Sequence, residues 1–196
     1  DALPIYKIVL SIKLQHNIFF NLSLIMSQRL PDAEFLLTEL IKQLTPIAHE
    51  SMAMVGIHTG GVWVAQRIHQ ALNLKLPLGV LDISFYRDDY SKIGLHPQVK
   101  PSALPFEVEN SHIILVDDVL YTGRTIRAAV NEIFDYGRPA SIHLAVLVDR
   151  GQRELPIAAQ YVGAVLSLPT NNMLELKQQS DGRLSLGLLD VKLAAE

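Results

Sequence analysis

Cysteine is absent from all 196 residues, which removes disulfides and thiolate metal sites and fits a reducing compartment, so a cytoplasmic location is expected. No hydrophobic run approaches the roughly 20 residues of a membrane span, and no small-x-small cleavage site follows a clean apolar core near the start. Membrane association is therefore not expected. His49, His58, His69, His96, His112 and His143 form no H-x-x-x-H or H-E-x-x-H pair, which argues against zinc chemistry. A G-x-x-x-x-G-K-S/T loop is missing too, against a P-loop nucleotide hydrolase. Charge is sparse, at 19% of residues with a net of −3, so attraction to nucleic acid would need a local basic patch. There are no repeats, low-complexity tracts or clean interdomain linkers.

What is present is a 49% hydrophobic chain long enough for one soluble domain with a sizeable core. Residues 1–25 differ in texture, rich in Ile, Leu, Asn and Phe, and read as a leader or extension outside the catalytic fold. The domain is expected over 26–196. Setting aside Asp1, Lys7 and Lys13 moves its formal charge from −3 to −4.

From Met26 onward, helical and strand patterns alternate. Leu36, Leu37, Leu40, Ile41 and Leu44 recur at helical spacing behind Pro31 and Asp32, which suit a first turn. AMVGI is a strand, HTGG a turn, and Val64, Ala65, Ile68, Ala71 and Leu72 mark a second helix. LPLGVLDISFY gives another strand. Residues 87–108, interrupted by Pro97, Pro101 and Pro105, read as a long lid-like loop. HIILVDD is a third strand, RTIRAAVNEIFDY a helix stopped by Gly137 and Pro139, and SIHLAVLVD a fourth strand. The alternation predicts an α/β fold, a mainly parallel sheet with helices on both faces. Residues 150–175, strand-like but fragmentary, read as an appendage beside it.

In such a sheet, ligands sit beyond the carboxyl ends of the strands. HTGG, YRDD and DDVLYTGRT would meet there. Tyr121, Thr122, Gly123, Arg124 and Thr125 combine a flexible turn, hydroxyls and a helix N-terminus, the chemistry of a phosphate cradle. Asp117 and Asp118 could accept hydrogen bonds from sugar hydroxyls, directly or around a divalent cation held mainly by substrate oxygens. An Asp pair at a strand end also suits Mg-binding receiver domains and nucleotide hydrolases. Trp63 reads as a packing residue, YRDDYSK also as a solvated loop, and Arg150, Arg153 and Glu154 also as a structural ion-pair cluster.

The run ILVDDVLYTGRT resembles the 5-phosphoribosyl-1-diphosphate (PRPP) signature of type I phosphoribosyltransferases. DISFYRDDYSK, DYGRPASIHLAVLVDRGQRELPI and YVG narrow the likeness, which covers roughly residues 30–166, to the PyrR family. Some of its members pair uracil phosphoribosyltransferase activity with RNA-binding control of pyrimidine operons. The resemblance implies a type I phosphoribosyltransferase fold with a small hood, here expected near 30–50 and 150–175, and a homo-oligomer, dimer or tetramer. It implies transfer of the phosphoribosyl group from PRPP to uracil, giving UMP and pyrophosphate with Mg²⁺. Asp117, Asp118 and Arg87 would be the catalytic set, and residues 121–125 would hold the 5′-phosphate. Thr59, Gly60, Gly61 and Arg87 would face pyrophosphate, and Val148, Asp149 and Arg150 uracil.

Departures from the family pattern bear on activity. Where RNA-regulating members commonly read Lys-Thr-Arg-Gly, this chain has His58, Thr59, Gly60 and Gly61. At basic RNA-facing positions it has Gln152, Ala158 and Ala164, leaving Arg153, so RNA binding is not expected. The alternative is a nucleotide-sensing regulator of pyrimidine gene expression that binds RNA or a protein partner with little catalysis.

Overall fold

The computed structural model describes residues 30–83, 101–169 and 172–190. The chain divides into two compact units at Pro31 and Asp32, and the sheet, its helices and a terminal hairpin all belong to the second. The leader, residues 1–25, and Arg87 with the YRDD run lie outside the described residues.

Five strands, β1 (Met52–Ile57), β2 (Gly79–Leu81), β3 (His112–Leu120), β4 (Ser141–Asp149) and β5 (Tyr161–Val165), form one sheet. Its order is β2-β1-β3-β4-β5 and every pairing is parallel. Every residue of β1 is buried, because a central parallel strand is covered on both faces. Helices α1 (Ala33–Leu44), α2 (Gly60–Leu72) and α3 (Arg124–Tyr136) supply the cover.

Alternation along the strands decides which helix packs where. Ala53, Val55 and Ile57 meet Ile126, Ala129 and Ile133 of α3 in one core cluster. Gly56 points the other way, where a Cβ would come within 2.8 Å of Val62 Cα, so α2 lies tightly on the opposite face. Burial follows: Val64, Ala65 and Ile68 are enclosed, whereas Ala71 at the far end of α2 is exposed. Helix α1 shares the α2 face. Asp32 caps it, its side chain accepting from Phe35 N at 3.0 Å, and Leu36, Leu37, Leu40 and Leu44 are buried. Gln43 of α1 also satisfies the edge of the sheet: its Nε2 donates to Val162 O at 2.9 Å and its Oε1 accepts from Val162 N at 3.4 Å. A side chain thereby occupies groups of β5 that another strand would otherwise pair.

Three expectations need correction. Residues 161–165 are not an appendage but the fifth strand of the sheet. Residues 101–108 are not lid: Val80 and Ala103 exchange two 2.8 Å backbone bonds, Val108 is buried, and Leu104 and Phe106 pack against the core. Apolar residues between the prolines find a sheet edge to cover. The rest of the expected loop, 87–100, lies outside the described residues. Third, a hairpin that the sequence pattern was not expected to form, β6 (Asn172–Gln178) with β7 (Leu184–Asp190), extends past the expected hood span.

The hairpin is tied to the helices through Glu34. That carboxylate accepts two bonds from Arg67, at 2.7 and 3.2 Å, and one from Leu184 N at 2.8 Å. The Arg67 guanidinium, with the Leu184 N–H, holds the Glu34 carboxyl below its ordinary value of 4.5, against the upward push of partial burial. A depressed folded-state value means the tie is fully present above the ordinary value and is lost as pH falls through the folded one. Glu34→Gln should lower the thermal midpoint at neutral pH, with the gap from wild type narrowing below about pH 4.5. A gap that stays constant into strong acid would show that the ionised carboxylate does not anchor the hairpin.

Candidate active site

The strand order reverses direction between β1 and β3, and the carboxyl ends of those neighbouring strands open a crevice where ligands bind in open α/β sheets. Two turns enter it. After β1, residues His58 and Thr59, joined by a cis peptide bond, lead into Gly60 and Gly61, which already belong to α2. After β3, Tyr121 to Gly123 lead into α3.

Asp117 and Asp118 lie within β3, not after it, so their side chains leave opposite faces of the strand. Asp117 is 5% exposed and its Oδ1 accepts from Asp118 N at 3.0 Å. The start of α2 is pressed against both. A Cβ on Gly61 would stand 2.6 Å from Val116 O and 2.9 Å from Asp117 Cα, and one on Gly60 would overlap the Asp118 carboxylate. The adjacent carboxylates therefore sit beside the positive end of a helix dipole.

The second turn has the construction of an anion cradle. Gly123 adopts φ +92°, a left-handed conformation that favours glycine, and as the N-cap of α3 it offers no capping side chain. The first-turn N–H groups are thus left open to a ligand, apart from Arg124 N, which donates to Thr122 Oγ1 at 3.3 Å. Arg124 also pairs with Glu154, its Nε donating to Oε2 at 2.6 Å.

A third strand end completes the wall. Arg150, following β4, is 5% exposed and its guanidinium lies 4.0 Å from the centroid of the Tyr121 ring. Its Nη2 donates to Pro169 O at 3.4 Å, while Nε is buried without a hydrogen-bond partner. Such a stacked, desolvated cation costs free energy unless something it faces is electron-rich.

These groups enclose a cavity of about 920 Å³, lined by His58, Asp117 to Ile126, Arg150 and Glu154, and by the hairpin through Asn172 to Leu176 and Leu189. Its size suits a nucleotide-scale ligand. Thr59, Gly60 and Gly61 are absent from that lining, and the two glycines press on the Asp pair. Of the three residues expected at uracil, Arg150 alone lines the cavity. Val148 is wholly buried in the sheet, and Asp149 turns away to accept from Gly151 N at 2.8 Å and Arg153 Nη2 at 2.5 Å. A core position and an ion pair keep both side chains out of the cavity lining.

The hairpin lining was legible but missed. Leu174 and Leu176 alternate on one strand and Leu184, Leu186 and Leu188 on the next, around Asp181-Gly182, a strong hairpin turn signal. Among the described residues, no three His, Asp or Glu side chains converge as a metal cage. Adjacent Asp117 and Asp118 instead suit a cation that keeps most of its ligands from substrate oxygens, the habit of Mg²⁺. No described helix is long and apolar enough to cross a membrane.

Comparison with known proteins bears on this geometry. The phosphoribosyl transferase domain family matches residues 27–172. The bifunctional protein PyrR of Nitrosococcus oceani is 55% identical over 157 residues, 79% of this chain and 89% of the relative. That of Pseudomonas paraeruginosa is 61% identical over 122 residues, 62% of this chain and 72% of the relative. Among solved structures, a hypoxanthine phosphoribosyltransferase from Staphylococcus aureus superposes with TM-score 0.54 at 23% identity, covering 69% of this chain and 74% of its own. A hypoxanthine-guanine phosphoribosyltransferase from Bacillus anthracis gives 0.58 at 17%, covering 71% and 84%. At those identities the likeness shows the fold alone. Together with the cradle and Asp pair at the sheet's switch point, these matches establish that the chain belongs to the PyrR family of type I phosphoribosyltransferases.

Proposed function

We propose that the chain is a uracil phosphoribosyltransferase, converting PRPP and uracil to UMP and pyrophosphate. The observation that carries this reading is the convergence, in one cavity, of an Asp pair, an open helix N-terminus and a stacked arginine. The α3 N-terminus and residues 121–125 hold the 5′-phosphate. Asp117 and Asp118 accept from the ribose hydroxyls and favour the positive charge that grows on the sugar as the bond to pyrophosphate loosens. The N1–C1 bond forms while the C1–O bond breaks, the electron pair leaves with pyrophosphate, and the N1 proton passes to solvent. Mg²⁺, held by substrate oxygens with Asp117 and Asp118, would neutralise charge on the departing pyrophosphate. The first turn of α2, beside the Asp pair, directs its dipole toward the same end of the cavity.

Arg150 supports uracil over cytosine. A guanidinium donates and cannot accept, which suits the two carbonyl oxygens of uracil and opposes the exocyclic amine of cytosine. With Mg²⁺ and PRPP, uracil should be converted at least about 100-fold more efficiently than cytosine, and more efficiently than hypoxanthine or guanine. Chromatographic detection of nucleotide and pyrophosphate tests this across the four bases. Efficient conversion of a purine, with none of uracil, would overturn the reading.

Tight binding to a pyrimidine-operon leader RNA is not part of this proposal. Gln152 and Ala158 are exposed and uncharged, and Arg153 directs its donors inward to Tyr121 O, Ile157 O and Asp149. Affinity should stay in the non-specific range, weaker than about 1 μM at physiological salt, with a shallow salt dependence. Fluorescence anisotropy with and without UMP checks this; nanomolar, UMP-enhanced binding would contradict it.

A further inference from the structure

We infer that Arg153 is a positioning residue that holds the base side and the phosphate side of the cavity in register, an inference that rests on the proposed nucleotide site. Four of its five bonds go to backbone carbonyls and one to a carboxylate, and together they reach three separate stretches of the chain. Nη1 donates to Tyr121 O at 2.7 Å, Gly151 O at 3.1 Å and Leu120 O at 3.4 Å; Nε donates to Ile157 O at 2.9 Å; Nη2 donates to Asp149 Oδ2 at 2.5 Å. Leu120 and Tyr121 open the 5′-phosphate turn, whereas Asp149 and Gly151 flank Arg150. One planar cation thus ties the turn after β3 to the turn after β4.

The surrounding contacts run in the same direction. Glu154 N and Leu155 N both donate to Thr122 O, at 3.0 and 3.1 Å, and Arg150 N donates to Leu120 O at 3.0 Å. A Cβ on Gly123 would touch Ile157 Cβ at 3.3 Å, so the cradle glycine lies directly on the segment that Arg153 folds. Arg153 is the charged centre of this joint, and its fork geometry explains why lysine cannot replace it fully: an ammonium offers a point charge and three donors, not a planar set of five. Displacements near 1 Å between the parts of a site cost on the order of 100-fold in rate, so a joint between the two subsites matters to a substrate that spans both.

The test compares UMP, which spans the joint, with ribose 5-phosphate, which occupies the cradle alone. Calorimetry gives the ratio of their dissociation constants, a quantity that a reduced folded fraction does not alter. In wild type UMP should bind the more tightly. In Arg153→Met that advantage should shrink at least about tenfold, with Arg153→Lys intermediate. Asp149→Asn, which keeps the shape and removes the counter-charge, provides a milder variant and should move the ratio the same way. An unchanged ratio in the folded variants, or a wild type that binds UMP no better than ribose 5-phosphate, would overturn the role of Arg153. Failure to form UMP from PRPP and uracil, with the ratio still shifting in the variants, would sink the catalytic reading and leave the joint intact.

Discussion

Replacing Asp117 by Asn should lower PRPP affinity or turnover by roughly 10- to 150-fold, the range given by losing a charged hydrogen bond of about 1.5–3 kcal/mol. The side chain is 5% exposed, so water replaces little of what is lost. Asparagine keeps an Oδ1 able to accept from Asp118 N, a bond of 3.0 Å, which preserves the strand end while removing its charge. Asp118→Asn should act in the same direction but more mildly, since Asp118 is half-buried. Titration with Mg-PRPP, followed by steady-state rates, distinguishes binding from turnover. Unchanged affinity and rate in both variants would remove the Asp pair from the ribose site.

Gly61→Ala should be the most damaging single-methyl change at the site. Its new Cβ would meet Val116 O at 2.6 Å and Asp117 Cα at 2.9 Å, both backbone atoms that cannot rotate away. Helix α2 must back off from β3, at a cost of about 1–3 kcal/mol in stability. The same shift moves the helix N-terminus relative to the Asp pair, so kcat/KM should fall on the order of 100-fold. Thermal melting and steady-state kinetics on one preparation check both effects. A variant with wild-type turnover would show that close approach of α2 to β3 has no part in the reaction. Gly60 presents the related case of a side chain that would displace the Asp118 carboxylate.

The elements legible in the sequence are those whose burial leaves a periodic mark. Strands β1, β3 and β4 are continuous apolar runs because both faces are covered, and α3 ends where Gly137 and Pro139 stop it. Of the three polar turns expected at strand ends, DDVLYTGRT and His58 of HTGG line the cavity, whereas YRDD lies outside the described residues. Other features depend on partners far along the chain. Val108, Leu104 and Phe106 looked like loop residues among prolines until β2 and the core supplied a surface for them. Arg153 and Asp149 are four residues apart in a turn, yet the role of Arg153 comes from carbonyls at 120 and 121, which no local pattern reveals. The hairpin carried its own signal in alternating leucines around Asp181-Gly182. That its leucines roof a cavity depends on Glu34 and Arg67, more than a hundred residues away.

The most direct test of the central claim, that the ends of β1, β3 and β4 form a cradle for a 5′-phosphorylated ribose, is calorimetric titration with UMP and with uridine. The two ligands differ only in the phosphate assigned to residues 121–125. Two charged hydrogen bonds to that phosphate, at the low end of their range, amount to about 3 kcal/mol, so UMP should bind at least about 100-fold more tightly than uridine. Equal affinities for the two would contradict the cradle, whatever the protein does with the base.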